Sequence, residues 1–97
     1  MSFLAAMAQL DSPERRKRIA WEKAHIVLGC DPDHTRKDDF GWFIEWSSYG
    51  DRNSPWGWEI DHAQPTILGG SDSAPNLRAL HWHNNASLGG LLSGIRR

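Results

Sequence analysis

The chain has 97 residues, with eleven Lys and Arg against twelve Asp and Glu, for a net charge of −1. That length suits one small domain with a thin core, taken as residues 1–97, and the charge excludes a polycation held on nucleic acid by electrostatics alone. Apolar runs too short for a membrane span, a start without a positive n-region, and a single cysteine, Cys30, exclude a transmembrane protein, a secretory signal and a disulfide framework. The expected setting is cytoplasmic. Six tryptophans against one tyrosine point to a core made from a few large rings.

Ser12-Pro13-Glu14 is a helix start: a capping hydroxyl, a proline suited to the first turn and an acid at the positive end of the dipole. Ile19, Ala20, Lys23, Ala24, Ile26 and Val27 follow at helical spacing, and Gly29 supplies a stop, so a helix is expected over 12–28. Arg15, Arg16, Lys17 and Arg18 would form its outer face, either as a solvated run or as a nucleic-acid contact. Residues 30–39 are polar and read as a loop, and 40–46 as a short strand or an irregular packed segment. Residues 49–55 form a turn cluster, 56–60 a half-buried strand, 69–72 a turn and 76–82 a returning strand. A helix over 84–95 is weakened by Gly89, Gly90 and Gly94, each costing about 1 kcal/mol relative to alanine.

The chemistry is concentrated in 57–90, where W-E-I-D-H is followed by Pro65, G-G-S-D, N-L-R-A-L-H-W and Asn85, nine residues beyond Asn76. This set resembles the HNH endonuclease family, the ββα-metal nucleases, over about a third of the chain. Each residue alone has an ordinary reading: His62 as a core or surface histidine, Asn76 as a turn residue, Asn85 as a helix start. The joint spacing carries the resemblance. It implies an α+β fold in which a two-stranded antiparallel hairpin and a helix (residues 56–95) clamp one ion, with the N-terminal helix packed against them.

Hydrolysis of a phosphodiester needs a base for water and a cation for the charge that builds on phosphorus and the leaving oxygen. His62 is the expected general base, since imidazole titrates near neutral pH. Asp61 and Asn85 are the expected ligands of Mg2+ or Mn2+, a hard oxygen set that leaves other positions to water and phosphate. By the resemblance Asn76 is not a ligand: it ties the loop and orients the histidine. Glu59, on the same side of a strand as Asp61, would pair with a cation or support the metal site. Adjacent strand residues face opposite ways, so sharing a phosphate would require the chain to leave strand geometry at Asp61–His62.

Many members of the family carry a C-x-x-C zinc knuckle, whose positions here are His81 and Asn84. With one cysteine the knuckle cannot form, and structural zinc is not expected. A mixed site from Cys30, His34, His81 and His83 has ligand-like spacing, but the favoured reading has His81 and Trp82 packing where zinc would hold the loop.

The usual basic residues after the third motif position are missing, which removes phosphate contacts; Arg78 and His83 remain as candidates. The expected activity is cleavage of double-stranded DNA, one strand per site. A homodimer or a larger complex would then supply affinity and a second cut. The alternative is a non-catalytic nucleic-acid or protein-binding module that keeps the fold.

Overall fold

The computed structural model describes residues 12–70 and 73–88. Helix α1 (Pro13–Glu22) begins where Ser12 accepts a 3.1 Å hydrogen bond from Arg15 N–H, with Pro13 in the first turn and Glu14 beside it. Its inner face buries Ala20 and Trp21 completely. The helix ends at Glu22, well before the expected 28. Arg36 donates Nη1 to the carbonyls of Glu22 (3.1 Å) and Ala24 (3.3 Å), satisfying the helix end. His25–Ile26 then forms strand β1 instead of continuing the helix. Gly29, the expected stop, occupies a left-handed turn (φ 88°) beyond that strand.

Strands β2 (Thr35–Lys37) and β3 (Phe43–Glu45) complete an antiparallel sheet in the order β1-β2-β3. The polar run 30–39 is therefore not all loop. Its strand is hidden from hydropathy because the residue it buries is Arg36, whose Nε also donates to Pro32 O at 2.8 Å. The expected 40–46 strand contracts to β3, followed by a 3-10 turn at Trp46–Ser48.

Strands β4 (Trp58–His62) and β5 (Leu77–His81) form a second antiparallel sheet, with Trp58 opposite His81, Asp61 opposite Arg78 and His62 opposite Leu77. Both strands start slightly later than the sequence suggests. The connection carries 3-10 turns at Thr66–Leu68 and Ala74–Asn76. Residues 82–88 are helical (α2), two residues earlier than expected. The far part of the expected final helix lies outside the described residues, with its glycines 89, 90 and 94 and the arginines 96 and 97, as do positions 71 and 72 of the expected turn and the first nine residues. The described residues thus form an α+β fold of two helices and two antiparallel sheets. No helix among them is long and apolar enough to cross a membrane.

Trp21 of α1 meets Trp58 of β4 at 5.2 Å between ring centroids and Trp46 at 5.6 Å, while Tyr49 lies 4.8 Å from Trp58. Ile44, Leu77, Ala79, Ala20 and Ala24 close around them, so α1 and both sheets share one core. Each aromatic pair adds about 0.5–1.5 kcal/mol beyond the area it buries. Lys17 Nζ sits 4.2 Å above the Trp46 ring, and the Arg18 guanidinium 4.1 Å from the same ring. These two residues roof the core, which corrects the reading of 15–18 as one solvated face; Arg15 alone of the four is fully exposed.

Asp38 ties the pieces together. It is 1% exposed, and its carboxylate accepts from the N–H groups of Phe40 (3.0 Å), Trp42 (2.9 Å) and His81 (3.0 Å) and from Asn84 Nδ2 (2.8 Å). One buried anion thereby joins the β2–β3 connection to the junction of β5 and α2. Lys23 adds a second tie, donating Nζ to the carbonyls of Ala74 and Leu77.

Candidate functional site

Alternation along β4 sorts the candidate residues onto two faces. Glu59 and Asp61 share one face, while Ile60 and His62 share the other. The ladder stays regular through His62, and Ala63 N–H still donates to Asn76 O at 2.8 Å. The expected departure from strand geometry at Asp61–His62 does not occur, because the pairing with Leu77 and Arg78 holds the backbone extended. The structure therefore does not bring Asp61 and His62 to a common face.

On the acidic face, Asp61 Oδ2 accepts from Arg78 Nε at 2.9 Å. Arg78 Nη1 also reaches Asp39 Oδ2 at 3.3 Å, and Asp39 Oδ1 contacts His25 Nε2 at 2.9 Å. Arg78, a candidate phosphate contact, is thus engaged with two carboxylates. Glu59 is held by both arms of Arg52, at 2.7 and 2.8 Å, and accepts from Asn85 Nδ2 at 2.9 Å. Hydrogen bonds from Arg52 first, and then from Asn85, hold the Glu59 carboxyl below its ordinary 4.5, against the opposing effect of partial burial. The same pair raises the Arg52 guanidinium above its usual value. Glu59 thus links β4 to α2. By taking the Asn85 amide nitrogen, it leaves Oδ1 as that side chain's acceptor.

The donor chemistry suits a hard divalent cation: the carboxylates of Asp61 and Glu59 on one strand face, with the amide of Asn85 bound to the second of them. Among the described residues, no group of three or more His, Cys, Asp and Glu side chains is arranged to hold a metal ion. A cation at Asp61 would have few protein ligands and would compete with Arg78.

Asn76 closes the loop between the strands. Its Oδ1 accepts from Gln64 N–H at 2.8 Å and its Nδ2 donates to Gln64 O at 2.9 Å, pinning the backbone two residues beyond His62. The same loop needs glycine at 70, because a Cβ there would overlap the Gln64 carbonyl. On the other face of β4, His62 and Ile60 line an open cavity of about 490 Å3 together with Pro13, Arg16 and Tyr49.

His81, Trp82 and His83 are engaged in packing and hydrogen bonds. His81 is buried, its Nε2 within 2.8 Å of Pro55 O and its Nδ1 accepting from His83 N–H at 3.0 Å. Both ring nitrogens are therefore engaged by backbone groups, which leaves neither for a metal. Trp82 Nε1 donates to Ser54 O at 3.0 Å, so both residues hold the loop before β4. His83 stacks on Trp42 at 5.2 Å. Cys30 is exposed and His34 Nδ1 contacts Thr35 Oγ1, so the mixed zinc set is not assembled.

Sequence reasoning missed Arg52, Asp39, His25 and Tyr49. Only Glu59 gave a signal, as an acid expected to have a cationic partner. Comparison with family models, curated proteins and solved structures gives no match to this chain.

Proposed function

We propose that the chain is a metal-dependent endonuclease of the HNH type, with a ββα-metal core formed by β4, β5 and α2, that hydrolyses DNA phosphodiester bonds and nicks one strand per site. The observation that carries this reading is the Asn76 amide. It makes paired hydrogen bonds to Gln64, two residues beyond His62, while Asp61 precedes His62 on β4 and Asn85 of α2 bonds Glu59 of the same strand.

In this mechanism the His62 imidazole accepts the proton of the attacking water. Asp61 and Asn85 are the residues that would hold Mg2+ or Mn2+ through oxygen. When bound, the ion stabilises the charge that develops on phosphorus and on the leaving oxygen. Glu59, clamped by Arg52, orients the Asn85 amide. Asn76 fixes the direction of the chain after His62. With a net charge of −1, affinity for duplex DNA is expected to be low and to rise in a homodimer or a larger complex.

One observation favours a second reading, a non-catalytic binding module: Arg78 lies 2.9 Å from Asp61, neutralising the proposed metal ligand. Supercoiled-plasmid cleavage at low salt separates the two. Open-circle product that needs Mg2+ or Mn2+, is blocked by EDTA and falls by about 10²–10⁴-fold in His62→Ala is expected of the enzyme. No product with either metal, or equal product from the variant, overturns it.

A further inference from the structure

In the β4–β5 ladder Arg78 stands directly opposite Asp61, the carboxylate assigned to the metal, and its Nε donates to Asp61 Oδ2 at 2.9 Å. Its Nη1 lies 3.3 Å from Asp39 Oδ2, and its guanidinium carbon 6.0 Å from the centre of the Phe40 ring. One guanidinium therefore bridges two carboxylates on different elements, Asp61 on β4 and Asp39 in the connection between β2 and β3. That connection is firmly placed. The buried Asp38 carboxylate accepts from the N–H groups of Phe40 and Trp42 within it and of His81 on β5, the strand that carries Arg78. The other arginine of this face grips differently: Arg52 gives Nε and Nη2 to the two oxygens of Glu59.

We propose that Arg78 is the resident cation of the metal site, and that Asp39 is the positioning residue that keeps its guanidinium when a divalent ion takes Asp61. The inference rests on the endonuclease reading and deepens it, by making metal binding an exchange of cations on one carboxylate. Charge is the physical reason. A carboxylate that holds a guanidinium at 2.9 Å attracts a second cation less, so Mg2+ or Mn2+ and Arg78 compete for Asp61. The Arg78 side chain is 23% exposed, and without a second partner it would be left unpaired and partly desolvated once displaced. Asp39, already within reach of Nη1, prevents that. At 43% exposure against 18% for Asp61, Asp39 is the more screened of the two carboxylates, so the guanidinium rests on Asp61 until a stronger cation arrives. The exchange needs only side-chain rotation, because residues 61 and 78 are paired through their backbones.

The test measures Mn2+ binding to the whole chain, without DNA, from the loss of the free-ion EPR signal. Arg78→Gln is expected to bind Mn2+ about tenfold more tightly than the unaltered chain, and Arg78→Lys, which keeps the charge, to stay within about twofold of it. Asp39→Asn is expected to weaken Mn2+ by about fivefold, and to do so no longer in the Arg78→Gln chain, where there is no guanidinium to receive. Asp61→Asn is expected to remove the binding in every background. Arg78→Gln binding no more tightly than the unaltered chain, equal tightening by Arg78→Lys, or an Asp39→Asn effect that persists without Arg78 overturns the proposal. So does a chain that binds no Mn2+ at millimolar ion. Plasmid nicking by the same proteins judges the endonuclease separately. Mn2+-dependent nicking by a chain whose Mn2+ affinity ignores Arg78 removes the exchange and leaves the endonuclease standing. Mn2+ binding governed by Arg78 and Asp39 in a chain that does not nick supports the exchange and removes the endonuclease.

Discussion

In strand β2 and the turn that follows it, Arg36 and Asp38 are buried, and their hydrogen bonds run to backbone groups and to Asn84. In β4, Glu59 and Asp61 stay half-buried, and each is paired with an arginine side chain. Backbone partners cannot leave without unfolding the segment that bears them, whereas a side-chain partner such as Arg52 or Arg78 can part by a change of its own rotamer. Similar ionisable groups thus act as fasteners in one region and as exchangeable contacts in the other. The difference is set by burial and by the kind of partner, not by residue type.

The largest effect that would sharpen this contrast is on the scaffold itself. Trp58 is fully buried where three aromatic neighbours meet, so Trp58→Ala is expected to cost about 3–5 kcal/mol in urea denaturation. A cost under 1 kcal/mol would show that the ring cluster does not hold the sheets together. Next, Asp38→Ala strands four donors in a buried site and is expected to cost about 2–4 kcal/mol, although Asp38 is remote in sequence from the motif. A neutral result would abolish the distinction drawn between buried and exchangeable charges.

Asn76→Ala removes two partly solvated hydrogen bonds and is expected to cost about 1–2 kcal/mol, while plasmid nicking falls by more than the folded fraction explains. Nicking that merely tracks the folded fraction would reduce Asn76 to a loop fastener. The smallest effect concerns Glu59, whose pKa is lowered in the folded chain. As pH falls, the unfolded chain takes up this proton first. The stabilisation is therefore full above about 4.5, its ordinary value, and is lost as the pH drops through the lower folded value. Because the pair is partly exposed, the loss is expected to stay below about 1 kcal/mol and to vanish in Arg52→Ala when acid titrations of the two chains are compared.

The elements that could be read in advance were those whose local chemistry agreed with their tertiary setting. Ser12-Pro13 announced the start of α1, and the alternation over 56–60 and the run over 76–82 announced the second sheet, whose strands begin one or two residues later. The end of α1 was obscured because Ala24 and Ile26 fit a helical period, while what stops the helix is Arg36, brought in from β2. Strand β2 was hidden by its buried arginine, and Asp38 by looking like a turn residue. At the site, the identities of His62, Asn76, Asp61 and Asn85 were visible as a spaced set, and the loop closure by Asn76 is local enough to follow from it. The pairing of Arg52 with Glu59 and of Arg78 with Asp61 depends on packing that no local pattern encodes.

The close approach of Trp21, Trp46 and Trp58 has a spectroscopic consequence. Indole rings at centroid separations of 5.2–5.9 Å and inclined at 36–72° couple their electronic transitions, so the folded chain should show an exciton-split band in circular dichroism. None of the proposed catalytic or metal-binding side chains belongs to that cluster. The couplet therefore supplies an internal optical gauge of native packing, by which a silent variant at His62 or Asn85 can be told apart from a misfolded one in the same cuvette.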